Sequence, residues 1–145
     1  IKNLTLSRND IQLIYPVHPN PNVKSVAQNY FKDNKNVVLI EPLDYSTFIW
    51  LLNKSYLVIT DSGGIQEEAP SLGKPVLVIR DTTERPEAVE AGTVLLVGTN
   101  KELIVSKALE LLNNEDSFVK MSKLHNPYGD GLASKRIVDF INNLI

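Results

Sequence analysis

The chain predicts an α/β fold with a doubly wound parallel sheet, and three observations predict it. Short runs rich in β-branched residues recur along the whole length, a helical stretch separates each run from the next, and the runs are apolar throughout rather than alternating. Strands buried on both faces read this way, and strand–helix–strand units feed a parallel sheet.

In order, the strands are predicted at IQLIYPV (11–17), VVLIE (37–41), YLVIT (56–60), PVLVI (75–79) and TVLLVG (93–98). Helices are predicted over 22–32, 45–54, 64–72, 86–91, 101–113 and 116–123, with a closing helix from 131 to 143. The opening IKNLTLSRND reads as the tail of an apolar-periodic helix whose beginning is absent, so the chain is expected to be a piece of a longer protein. Asp44 and either Thr99 or Asn100 have the chemistry of amino-terminal caps, because their side chains accept from the unpaired N–H groups of a first turn. Gly73 followed by Pro75 ends one helix, and Pro70 inside it removes a backbone donor, so that helix is expected to be short or kinked. NPYGDG (126–131) is dense in turn formers. No repeat, low-complexity tract or linker divides the chain, and a single domain over 1–145 is expected.

Composition narrows the function classes. At 145 residues a chain buries roughly two-thirds of its unfolded surface. The formal net charge of −2 gives no general attraction to phosphate backbones, so nucleic acid is not an expected partner. There is no cysteine and there are two histidines, which removes disulfides, thiolate nucleophiles and the usual zinc sites. No apolar run nears the roughly 18 residues that span a bilayer, so no membrane association is expected. A reducing, cytoplasmic setting fits these features.

TDSGGIQEEAP (60–70) leaves a predicted strand at its carboxyl end just before a helix, where parallel α/β sheets hold their ligands. Gly63 and Gly64 permit backbone angles closed to other residues and let a ligand approach the main chain. The helix start presents unpaired N–H groups with partial positive charge, a site for phosphate, and the Ser62 hydroxyl adds a donor. Glu68 lies four residues beyond Gly64, one turn up the same face, where a carboxylate accepts from sugar hydroxyls; Glu67 is rotated about 100° away. The plainer reading is a tight turn with acidic residues favouring a helix start. Neither G-x-x-x-x-G-K-[ST] nor G-x-G-x-x-G is present, which argues against ATP hydrolysis and ordinary NAD binding.

RDTTERPEAVEAG (80–92) follows another strand; Arg80 or Arg85 could neutralise a diphosphate, or the arginines and glutamates could pair with each other. In DYSTFIW (44–50), Phe48 or Tyr45 could lie against a base, or simply join the core. His18 in PVHPNPNV (16–23) could donate to a phosphate, move a proton or serve as a structural hydrogen-bonding residue. His125 beside NPYGDG makes a weaker case. Asp61, Ser62 and His18 suggest a hydrolytic triad, but the G-x-S-x-G elbow is missing.

PVHPNPNV, the block from Thr60 to Thr93 and NPYGDG, in this order and spacing, closely resemble the carboxyl-terminal half of the bacterial non-hydrolysing UDP-N-acetylglucosamine 2-epimerases. The resemblance implies two Rossmann-like halves facing one cleft, the GT-B arrangement, of which these residues form the second. It implies interconversion of UDP-GlcNAc and UDP-ManNAc by anti elimination of UDP to a 2-acetamidoglucal and re-addition at the opposite face, feeding cell-surface polysaccharide synthesis. No cofactor, metal or redox group is implied.

On the residues of this chain, the resemblance assigns Ser62, Gly63 and Gly64 to the diphosphate, Glu68 to the ribose hydroxyls, Phe48 to the uracil region and Arg85 to the phosphate or sugar side. His18 corresponds to a residue lining the cleft or contacting an activating second nucleotide-sugar. The family's catalytic carboxylates belong to the amino-terminal domain, which precedes Ile1, so no catalytic residue is expected here and these residues alone are expected to be inactive. A homodimer is the expected state of the complete enzyme. Two alternatives stand beside this reading: the donor half of a GT-B glycosyltransferase, and a non-catalytic nucleotide-binding module from a split gene.

Overall fold

A computed structural model describes residues 1–123 and 127–144. The elements run α1 (Lys2–Ser7), β1 (Leu13–Pro16), α2 (Pro21–Phe31), β2 (Val37–Ile40), α3 (Tyr45–Lys54), β3 (Val58–Thr60), α4 (Gly63–Ser71), β4 (Val76–Val78), α5 (Pro86–Glu90), β5 (Val94–Leu96), α6 (Lys101–Asn113), α7 (Glu115–Ser122) and α8 (Ala133–Asn142). His125 and Asn126, and with Asn126 the start of NPYGDG, lie outside the described residues.

Every strand pairing among the described residues is parallel; β4 is buried throughout, as a central parallel strand is, while β1 and β2 are only part-buried or exposed. The ladder is not one continuous sheet. β1 pairs with β2, and β3, β4 and β5 form a second group in that order. Register aligns Val58 with Val76 and Val94, Ile59 with Leu77 and Leu95, and Thr60 with Val78 and Leu96.

That register sorts the core onto two faces, because successive strand side chains point to opposite sides. Val76, Val78 and Val94 join Leu52, Ala69 and Ala88 beneath α3, α4 and α5. Leu77 faces the other way, onto Leu4, Ile104, Ala108, Leu111 and Met121 of α1, α6 and α7. Helices therefore cover both faces of the larger sheet. Val76, Leu77 and Val78 are 0% exposed, and burying side chains of this size contributes about 1.5–3 kcal/mol each.

Caps fix where several helices begin. Asp44 accepts from the Thr47 N–H at 3.1 Å, Asn100 from the Leu103 N–H at 2.8 Å and Asn20 from the Asn22 N–H at 2.9 Å. Of the two cap candidates before α6, Asn100 takes the role. α4 ends one residue after Pro70, and Gly73 turns the chain out at φ +68°. Among the described residues no helix is long and apolar enough to cross a membrane.

Candidate nucleotide site

The loops after β3 and β4 emerge at one end of paired parallel strands and lead into α4 and α5, and α3, which follows β2, packs on the same face of the larger sheet. The site grows from this arrangement: Glu68 of α4 acts on Tyr45 at the start of α3, and Asp61 before α4 acts on Arg80 after β4.

At its centre is the start of α4. Ser62 occupies the N-cap, yet its side chain makes no capping bond, and its N–H donates to the Thr60 hydroxyl at 3.0 Å. The first-turn amides of a nine-residue helix thus lack a side-chain cap at the exposed Ser62. Gly63 and Gly64 do not use the left-handed backbone angles expected of them; neither has positive φ, since both already lie within the helix. Their contribution is missing bulk. A Cβ on Gly64 would meet nothing within 4 Å, and one on Gly63 would stand 3.8 Å from the Glu84 carboxylate. The main chain here is open to close approach, apart from that carboxylate.

Glu67 and Glu68 take different partners. Glu67 receives the Arg85 Nε, a half-buried ion pair that raises the Arg85 guanidinium above its ordinary value. Glu68 stands beside the Tyr45 phenol at the start of α3, and its negative charge, with lesser help from desolvation, pushes that phenol up. Tyr45 is exposed; Phe48, one turn further on, is part-buried and packs against the core under α3–α5.

Around the loop after β4, Arg80 donates to Glu84 at 2.6 Å, which holds the Glu84 carboxyl below its ordinary value. Asp61 adds a smaller raising effect on Arg80, bringing the loops after β3 and β4 into electrostatic contact. Arg85 also donates through Nη1 to the Glu84 carbonyl at 3.1 Å. Both arginines are therefore held by glutamates without a ligand. Their reach to an anion requires exchanging one carboxylate for another negative group.

His18 follows β1 and is exposed; its Nδ1 accepts from the Asn20 N–H at 3.2 Å, a local turn that leaves Nε2 outside the bond. It follows β1, and its hydrogen bond stays within its own turn. A cavity of about 510 Å3 at the ends of β4 and β5 is bounded by Arg80, Asp81, Gly98 and Asn100; none of Phe48, Ser62, Gly63, Gly64, Glu68 or Arg85 lines it. Among the described residues no group of three or more His, Cys, Asp and Glu side chains is arranged to hold a metal.

Sequence reasoning passed over two contributors. Gln66 is fully buried and ties the Ser62 carbonyl to the Thr83 hydroxyl. Its signal was faint: a polar residue at a helix position that also faces the core. Tyr128 packs against the core under α3–α5; burial above all, then Glu87, raises its phenol, and Glu67 and Arg85 act on it too. That carries the described part of NPYGDG to the flank of the site.

The comparisons with known proteins accord with this geometry. The profile of the family described as UDP-N-acetylglucosamine 2-epimerase matches residues 1–142. The UDP-N-acetylglucosamine 2-epimerase of Escherichia coli K12 is 55% identical over 143 residues, covering 99% of this chain and 38% of that protein. The Bacillus subtilis enzyme of the same name is 58% identical over 130 residues, covering 90% of this chain and 34% of its own length. The structure of UDP-GlcNAc 2-epimerase from Neisseria meningitidis bound to UDP-GlcNAc superposes with a TM-score of 0.92 at 48% identity, covering 98% of this chain and 39% of that one. The α/β architecture is that of these GT-B enzymes, and the chain spans about 38% of the length of such relatives. With a family profile running through nearly every residue, this chain belongs to the UDP-N-acetylglucosamine 2-epimerase family.

Proposed function

We propose that the chain is the UDP-binding, carboxyl-terminal domain of a non-hydrolysing UDP-N-acetylglucosamine 2-epimerase, an isomerase interconverting UDP-GlcNAc and UDP-ManNAc. The observation that carries this reading is the α4 start at the carboxyl end of β3, lacking a side-chain cap and open at Gly64, with Glu68 one turn above it.

The chemistry explains why such a site is needed. During elimination the bond between the anomeric carbon and the UDP oxygen breaks, and UDP stays bound while the sugar is a separate, unsaturated molecule. A site that released the diphosphate would end the reaction at free UDP and the 2-acetamidoglucal, with no nucleotide left to add back. The Ser62 hydroxyl, the amides of Gly63 and Gly64 and the positive end of α4 hold the diphosphate, where backbone donors need no reorganisation. Glu68 accepts from the ribose hydroxyls, beside the Tyr45 phenol that its charge pushes up. Phe48 borders the uracil, and Arg85 leaves Glu67 to meet the phosphate or sugar side. His18, after β1, lines the cleft or meets an activating nucleotide-sugar.

In this reading the proton-transfer carboxylates come from a second, amino-terminal domain, the complete enzyme is a cytoplasmic homodimer, and its product feeds cell-surface polysaccharide synthesis. The chain's 38% share of its relatives' length supports a second domain. So does α8, which buries none of its residues and turns Ile137, Phe140 and Ile141 to solvent.

Incubation with UDP-GlcNAc and no acceptor, followed by proton NMR, tests the proposal. The complete enzyme is expected to produce the manno isomer, and these 145 residues alone none. Isomer formed by the chain alone would overturn the division of labour; none from the complete enzyme would favour a glycosyltransferase.

A further inference from the structure

Gln66 is the largest polar side chain held at 0% exposure. Its Nε2 donates to the Ser62 carbonyl at 3.2 Å, and its Oε1 accepts from the Thr83 hydroxyl at 2.6 Å. The same Thr83 oxygen accepts from the Arg85 N–H at 3.0 Å. Three bonds thus run without a break from the N-cap of α4, through the protein interior, to the backbone of the residue whose guanidinium meets Glu67.

The two ends of this path are the two sides of the proposed diphosphate grip. Each lies on a loop, and loops at strand ends are the mobile part of an α/β site unless something fixes them. A primary amide suits the task because it offers a donor at one end and an acceptor at the other. A glutamate at the same place loses the donor and buries a charge; an asparagine is one methylene too short to span the same gap. A buried polar side chain with both ends satisfied imposes one arrangement on what it touches, since any other leaves a polar group unpaired away from water.

We propose that Gln66 is a positioning residue for nucleotide binding: it locks the Ser62 turn and the Thr83–Arg85 loop at one separation, so that the diphosphate donors are spaced before ligand arrives. The inference rests on the functional reading above and concerns how that site reaches its affinity. Gln66 itself touches no ligand. Its effect passes through Ser62 on one side and Thr83 on the other.

The test is calorimetric titration of the full chain with UDP, with a thermal unfolding midpoint for each protein. The proteins compared are the unsubstituted chain, Gln66→Met, Thr83→Val, the double variant and Thr83→Ser. Gln66→Met and Thr83→Val are expected to weaken UDP binding by about tenfold each, the double variant no more than about tenfold in all, as members of one coupled path behave. Thr83→Ser, which keeps the hydroxyl, is expected to restore binding. UDP affinity unchanged in folded variants, with only the midpoint lowered, would overturn the inference and leave Gln66 a core tie. So would losses that multiply in the double variant. Should Gln66→Met fail to fold, the Thr83→Val and Thr83→Ser pair on the loop decides alone. If the unsubstituted chain binds no UDP, the functional reading falls and carries this inference with it; UDP bound equally by all the variants sinks this inference only.

Discussion

Two adjacent glutamates are divided between different tasks by helix geometry. A rotation of about 100° per residue sends Glu67 to Arg85 and Glu68 to Tyr45. Glu68→Ala is expected to weaken UDP binding by roughly 1.5–3 kcal/mol, the scale of a hydrogen bond to a charged group; calorimetry showing unchanged affinity in a folded variant would reduce Glu68 to helix-end electrostatics. Glu84 acts in the opposite direction. Its carboxylate stands beside the open side of Gly63 and is held below its ordinary value by Arg80, so it would crowd a diphosphate at the proposed site. Glu84→Gln is therefore expected to tighten UDP binding several-fold, more at low ionic strength where like charges are screened less; weaker binding would make Glu84 a partner of the ligand. At this scale the helical spacing read from the sequence holds for the two glutamates, which take separate partners, whereas Gly63 and Gly64 lie in ordinary helix rather than at the special backbone angles expected. The sequence was silent on Gln66, because amphipathic patterning assigns a polar helical residue to the surface and only the fold puts this one in the core.

At the level of elements, helices with a chemical marker at each end were read closely. The segments 45–54 and 101–113 form as expected, since Asp44 and Asn100 satisfy first-turn amides. Strands were overestimated: 11–17 and 93–98 shrink to Leu13–Pro16 and Val94–Leu96. The cause is that apolar residues flanking a ladder serve packing; Ile11 and Leu57 lie against the core under α1, α6 and α7 without extending a strand. Asp44 also carries a pH signature. Bonds from the Thr47 hydroxyl and then the Thr47 N–H hold its carboxyl below the ordinary value. A carboxyl depressed in the folded state stabilises above its unfolded pKa of roughly 4 and loses that contribution as pH falls through the folded value. Asp44→Ala is thus expected to lower the thermal midpoint at pH 7, with the gap from the unsubstituted chain closing below about pH 4. A gap of constant size down to pH 3 would assign the cap to neutral hydrogen bonding.

For the molecule as a whole, the alternation of strand and helix made the fold class legible, and the break between the β1–β2 pair and the β3–β5 group did not show in the sequence. Local apolarity reports that a strand exists; which strands bond to each other depends on contacts between distant segments. Apolar surface also remains uncovered. α8 exposes Ile137, Phe140 and Ile141, and α2 with β1 forms a groove of about 400 Å3 beside Val26 and Tyr30.

The start of α4 is proposed to hold the diphosphate of a uridine nucleotide. A crystal structure of the chain with UDP tests it most directly. The phosphates are expected on the Ser62 hydroxyl and the amides of Gly63 and Gly64, the ribose hydroxyls on Glu68, and Arg85 released from Glu67. UDP bound elsewhere, with the Ser62 turn unoccupied and the Arg85 to Glu67 pair intact, would contradict it.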